Sequence, residues 1–92
     1  MCDYLLPIGS IVRLTGSEKY VMIYGVKQKT SLNPDMMIDY VAVPYPEGYF
    51  NDKYQYIFNH DDVEEVIFRG FEDETREVFI KLLDYQLSIK KQ

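Results

Sequence analysis

Residues 10–24 read Ser10-Ile11-Val12-Arg13-Leu14-Thr15-Gly16-Ser17-Glu18-Lys19-Tyr20-Val21-Met22-Ile23-Tyr24. Ser10–Thr15 is rich in β-branched residues and is bounded by Pro7 and Gly9 on one side and Gly16-Ser17 on the other. Lys19–Tyr24 has the same character and follows at once, so Thr15–Glu18 is expected to be the tight turn of a β-hairpin. Gly25 interrupts the second strand, where a missing side chain points to a bulge or a close backbone approach.

Outward from the hairpin, Lys27–Asp35 is polar, contains Asn33-Pro34 and has no periodicity, so it is expected to be an exposed loop. Met36–Val43 is expected to be a third strand, with Ile38, Tyr40 and Ala42 on one face and Met37, Asp39, Val41 and Val43 on the other. Pro44-Tyr45-Pro46-Glu47-Gly48 ends it, because two prolines remove backbone donors. Tyr54–Phe58 alternates as a fourth strand. Asn59-His60-Asp61-Asp62 has the composition of a capped helical turn, with Asn59 as N-cap and Asp62 three residues on; Val63–Glu65 would complete that turn. Val66–Phe68 is then a short fifth strand.

The period changes in the last segment. Val78, Phe79, Leu82, Leu83, Gln86 and Leu87 recur at helical spacing. Glu72, Asp73, Glu74 and Glu77 crowd the start of this helix, and Lys90 and Lys91 lie at its end, each matching the helix dipole in sign. The expected architecture is α+β in one domain over residues 1–92. A curved antiparallel sheet of about five strands, or a small open barrel, would lie within about residues 9–70, with a helix at about 73–90 packed on it.

Composition limits the function classes. A chain of 92 residues holds one core and buries only about 60–65% of its unfolded surface. Nine Tyr and five Phe supply apolar matter for that core, which excludes disorder as the default. With Cys2 as its one cysteine, the chain has no internal disulfide, and it presents no structural-metal spacing and no cofactor signature. The net charge of −5 is unevenly placed: residues 1–46 balance, and residues 47–92 hold eleven acids against six bases. Eight of those acids fall between Asp61 and Glu77, facing only Arg69 and Arg76. A nucleic-acid partner would require a basic track, which is missing, so none is expected. The acidic stretch reads as a solvated face that could also steer a basic partner. The N-terminus lacks a charged n-region and a long apolar stretch, and the longest apolar runs fall far short of the roughly 20 residues that cross a bilayer. No membrane association and a cytoplasmic location are expected.

His60, Asp61 and Asp62 form the one cluster that resembles a catalytic or metal site. Neighbours on a helical turn point in different directions, however, and no spacing motif announces further ligands, so capping of the turn and contact with water explain the cluster better. Cys2 sits beside a terminus without an activating base. No catalytic residue and no metal ligand is therefore assigned. The tyrosine excess is more informative: Tyr40, Tyr45, Tyr49, Phe50, Tyr54 and Tyr56 gather around the third strand, the Pro-rich turn and the fourth strand. Tyrosine is enriched at protein interfaces, and Tyr45, Tyr49 and Phe50 fall where the chain turns, so these three are the expected partner-binding residues. A Tyr-rich strand at an open sheet edge also leaves a homodimer open.

Leu6-Pro7-Ile8-Gly9-Ser10-Ile11-Val12, Val21-Met22-Ile23-Tyr24-Gly25, Asp39–Gly48 (DYVAVPYPEG) and Phe58-Asn59-His60-Asp61-Asp62 resemble one small family. It is a bacterial family with a domain of unknown function, encoded beside LXG-toxin genes of type VII secretion systems in Gram-positive bacteria. The resemblance runs from about Leu6 to Phe79; Ala42 stands where the pattern has glycine, and Thr30–Met37 follows it poorly. It implies a cytoplasmic, non-enzymatic accessory protein, a chaperone or adaptor that binds the helical N-terminal region of an LXG effector or a helical partner of it. Two other readings stay open: an immunity protein that plugs the toxin domain with its acidic segment, and a small metal-dependent hydrolase centred on His60, Asp61 and Asp62.

Overall fold

The hairpin of residues 10–24 sits at the heart of a five-stranded antiparallel sheet. The computed structural model describes residues 4–29 and 37–90. Strands β1 (Ile11–Leu14) and β2 (Tyr20–Lys29) pair with Ile11 opposite Met22, Val12 opposite Val21 and Arg13 opposite Tyr20. Strand β3 (Met37–Pro44) adds on the far side of β2, and β4 (Tyr56–Phe58) on β3. Strand β5 (Val63–Phe68) pairs with β1, giving the order β4-β3-β2-β1-β5. The sheet is open, with β4 and β5 as its edges. Helix α1 (Glu74–Lys90) follows.

Alternation places Val12, Val21, Ile23, Tyr40, Ala42 and Phe58 on the inner face, all buried. Leu5, Leu6 and Ile80 close the core over them, with Leu14, Tyr56, Val63, Leu83 and Leu87 packed around its edge. Fully burying each of the large side chains contributes about 1.5–3 kcal/mol. The bulge expected at Gly25 is present, as a register shift between Ile23 and Gly25. It moves the buried positions from odd to even numbers, so Val26 faces inward next to Ile23.

Four local expectations are corrected. Strand β2 continues through Lys27–Lys29, because Gln28 and Lys29 pair with Ile38 and Met37; the rest of the expected loop lies outside the described residues. The fourth strand begins at Tyr56, since Asn51 caps a 3-10 turn at Asp52–Tyr54 by accepting from the Lys53 N–H at 2.9 Å. The turn after Asn59 closes at Asp62, and Val63–Glu65 is extended because Val63 and Glu65 pair with Leu14 and Arg13. The helix is rotated relative to the expected stripe. Arg76, Ile80, Leu83 and Leu87 face the domain, whereas Val78 and Leu82 point outward and are exposed.

One glycine fixes the route from β5 to α1. A Cβ on Gly70 would lie 2.3 Å from the Ile8 carbonyl oxygen and 3.1 Å from the Ser10 nitrogen. The Gly70 N–H donates to Oγ of the fully buried Ser10 at 3.0 Å, so the crossing needs both a missing side chain and that hydroxyl.

Candidate functional site

His60, Asp61 and Asp62 do not converge. Asp61 and Asp62 are exposed; Asn59 stands at the N-cap as expected, and the Asp62 carboxylate accepts the Asn59 N–H at 3.0 Å. His60 turns the other way, with Nδ1 2.6 Å from the Tyr40 hydroxyl. That hydroxyl also accepts the buried Leu6 N–H at 3.0 Å. The hydroxyl therefore bridges the Leu6 backbone and the His60 ring. Burial pushes the Tyr40 phenol up to about 12, so it remains a hydrogen-bond donor at any physiological pH.

Next to this pair lies a half-buried ionic cluster whose members are far apart in the chain. Asp39 accepts Lys27 Nζ at 2.6 Å and the Tyr4 hydroxyl at 2.8 Å on one oxygen, and the His60 N–H at 3.0 Å on the other. Burial alone would raise the Asp39 carboxyl, but the hydrogen bonds from Lys27, the His60 backbone and Tyr4 outweigh it and hold the group below its ordinary range. Burial likewise opposes the Lys27 charge, and Asp39 and Tyr4 overcome it, raising Lys27 to about 12. The ammonium also lies 5.4 Å from the centre of the Tyr4 ring, and the Tyr4 ring meets His60 edge-on at 5.2 Å. Lys27 itself has a left-handed backbone, φ 49°, next to the Gly25 bulge. The acceptors of Asp39 and the hydroxyl of Tyr40 are occupied by partners from the same chain. The arrangement therefore acts as a clasp, tying residues 4–6 and the Asn59–Asp62 turn to β3. Among the described residues, no three His, Cys, Asp or Glu side chains converge as a metal ion would require.

The aromatic turn has the opposite character. Tyr45, Tyr49 and Phe50 are all exposed, as is Tyr54. Phe50 stacks on Tyr54 with ring centroids 4.9 Å apart, and Tyr49 donates to the Asp52 carboxylate, which raises the Tyr49 phenol. The turn is held in shape from below. Tyr45 N–H donates to the Tyr20 carbonyl at 3.0 Å, Gly48 N–H to the Pro44 carbonyl at 2.7 Å, and Lys19 Nζ bridges both Glu47 oxygens at 2.8 and 2.9 Å. Gly48 takes φ 75°, a conformation that favours glycine, and the Tyr45–Pro46 peptide is cis.

This turn adjoins the outer face of the sheet. Arg13, Tyr20, Tyr45 and Pro46 line a shallow pocket of about 360 Å³ between them. Across the outer face, Phe68, Ile11, Met22 and Val43 are cross-strand neighbours on successive strands, and Val41 pairs with Ile57. Of these, Phe68 and Ile57 are exposed, as are Tyr20 and Tyr24. Sequence reasoning missed Ile57, Tyr24 and Phe68; strand alternation would have found the first two once the inner face was known. The eight acids of Asp61–Glu77 are all exposed, as expected of a solvated face.

A family model described as a domain of unknown function (DUF4176) matches residues 5–79. No curated protein and no solved structure matches the chain.

Proposed function

We propose, from the premise that this chain belongs to the DUF4176 family, that it is a non-enzymatic protein-binding accessory factor. In this reading it is a chaperone or adaptor that engages the helical N-terminal region of an LXG effector of a type VII secretion system, or a helical partner of that region. The observation that carries the reading is the aromatic turn, where Tyr45, Tyr49, Phe50 and Tyr54 are exposed yet fixed in place beside an apolar sheet face. Rigid exposed aromatics give contact area at low entropic cost, because little side-chain freedom remains to be lost on binding. The identity of the partner rests on the sequence resemblance to proteins encoded beside LXG toxins.

Co-expression with the neighbouring LXG protein tests this. The pair is expected to co-purify through the N-terminal region of the effector. Tyr49→Ala combined with Phe50→Ala is expected to weaken the complex at least tenfold, about 1.4 kcal/mol, while the domain stays folded. Separate elution of the two proteins at micromolar concentration would overturn the proposal. Binding confined to the C-terminal toxin domain, with protection of cells, would favour an immunity protein acting through the exposed acids of Asp61–Glu77.

A further inference from the structure

Helix α1 is apolar on two opposite sides. Arg76, Ile80, Leu83 and Leu87, spaced four, three and four residues apart, face the domain. On the opposite side Val78, Leu82 and Tyr85, spaced four and three apart, are 58%, 55% and 62% exposed. That spacing is the seam of a helix pair, and in sequence it continues to residue 89. Phe79 is exposed beside it. Stripes of this kind are seldom left uncovered on a small monomer.

We infer that the outer seam of α1 pairs antiparallel with α1 of a second copy of this chain. Charge selects both the occupant and the direction. Glu74 and Glu77 stand in the first turns of α1, whereas the sequence at its other end is Lys90-Lys91. Antiparallel copies bring each acidic end beside a basic end and oppose the two helix dipoles; parallel copies would stack the acidic ends on one another. The register that fits the exposed residues sets Leu82 beside Tyr85 of the second copy. Phe79 then flanks Gln86. This surface is separate from the aromatic turn, so the inference stands or falls independently of the effector-binding reading.

Sedimentation equilibrium of the full chain, from micromolar to submillimolar concentration, tests the pairing. The expected result is a monomer–dimer equilibrium that Leu82→Glu and Val78→Glu each weaken about tenfold or more. Circular dichroism should show native helix content for both variants, since both positions are exposed. Tyr49→Ala should leave the equilibrium unchanged. Spin labels test direction, with Cys2→Ser as background and single cysteines at Glu77→Cys or Asp84→Cys, two equivalent positions one heptad apart. Antiparallel pairing offsets the two labels at position 77 by about 20 Å along the axis and those at 84 by about 1.5 Å, from 1.5 Å of rise per residue. A monomer mass at every concentration, a dimer indifferent to both glutamates, or equal distances at 77 and 84 would overturn the inference.

Discussion

Removing one oxygen from the core should loosen the N-terminal segment from the sheet. Tyr40 is fully buried, and its hydroxyl accepts the Leu6 N–H at 3.0 Å and lies 2.6 Å from His60 Nδ1. Tyr40→Phe keeps the ring, including its contact with Phe58 at 5.4 Å between centroids, and leaves those two polar groups without a partner. Leu6 is 3% exposed, so its N–H has no route to water and its loss should cost about 1–3 kcal/mol. His60 is only half-buried, and water can replace the hydroxyl there at a cost below about 1 kcal/mol. The sum, about 1–4 kcal/mol, is a large part of the roughly 5–15 kcal/mol that holds a domain folded. At about 4–8 °C per kcal/mol for a domain of this size, Tm should fall by roughly 4–30 °C. Urea melts followed by circular dichroism give the stability change, and hydrogen exchange reads the Leu6 amide directly. A loss under about 0.5 kcal/mol, or unchanged protection of the Leu6 amide, would refute the role assigned to the hydroxyl.

The two sides of α1 should respond differently to truncation: Ile80→Ala, at the core contact, is expected to cost about 2–4 kcal/mol, and Leu82→Ala less than about 0.5 kcal/mol under monomeric conditions in urea melts. Gly70→Ala should destabilise by about 2 kcal/mol or more, because its Cβ has no space against the Ile8 carbonyl, and the shift should appear as a lower urea midpoint. Asp39 is held below its unfolded pKa, so its contribution is fully present above about pH 4 and is lost as pH falls through the folded value. Lys27, raised to about 12, keeps the pair charged through the alkaline range up to its unfolded pKa near 10.4, and that contribution is lost as pH rises through the folded value. The urea midpoint of the wild type should therefore fall between about pH 5 and 3 more steeply than that of Asp39→Asn; parallel curves would refute the clasp.

Local chemistry made the sheet readable and left the clasp hidden. The β1–β2 hairpin follows from two apolar runs around Gly16-Ser17, the bulge from Gly25, and the inner face of β3 from alternation at Tyr40 and Ala42. The start of β5 is not legible locally because its partner, β1, lies some fifty residues earlier. Asn59–Asp62 does form a short turn, and only the ladder from Val63 to Leu14 ends it there. The orientation of α1 was ambiguous for a different reason. With apolar residues at 78, 79, 80, 82, 83, 85 and 87, periodicity fits more than one stripe, and only the arrival of Leu5 and Leu6 selects the Ile80 side. Tyr4, Lys27, Asp39, Tyr40 and His60 meet through tertiary folding alone. No spacing in the chain announces them.

The placement of polar and apolar groups bears on what such a small domain can do. Its most tightly coupled titratable side chains satisfy one another within the clasp, so they give up little to a substrate. Its surplus is apolar instead, and it lies on both outsides of a two-layer fold. The outer seam of α1 points away from the sheet, while Tyr20, Tyr24 and Ile57 lie on the sheet face turned the other way, next to the aromatic turn. Pairing through α1 would thus leave both aromatic turns of a dimer outward and unobstructed. Under the two proposals together, the complex with a helical partner should have two copies of each chain, and Leu82→Glu should reduce it to one of each without loss of binding. Light scattering of the purified complex reads that stoichiometry. A one-to-one mass with a wild-type chain that is dimeric by itself would show that the partner and the second copy compete for the same surface, contrary to the separation argued from the two faces.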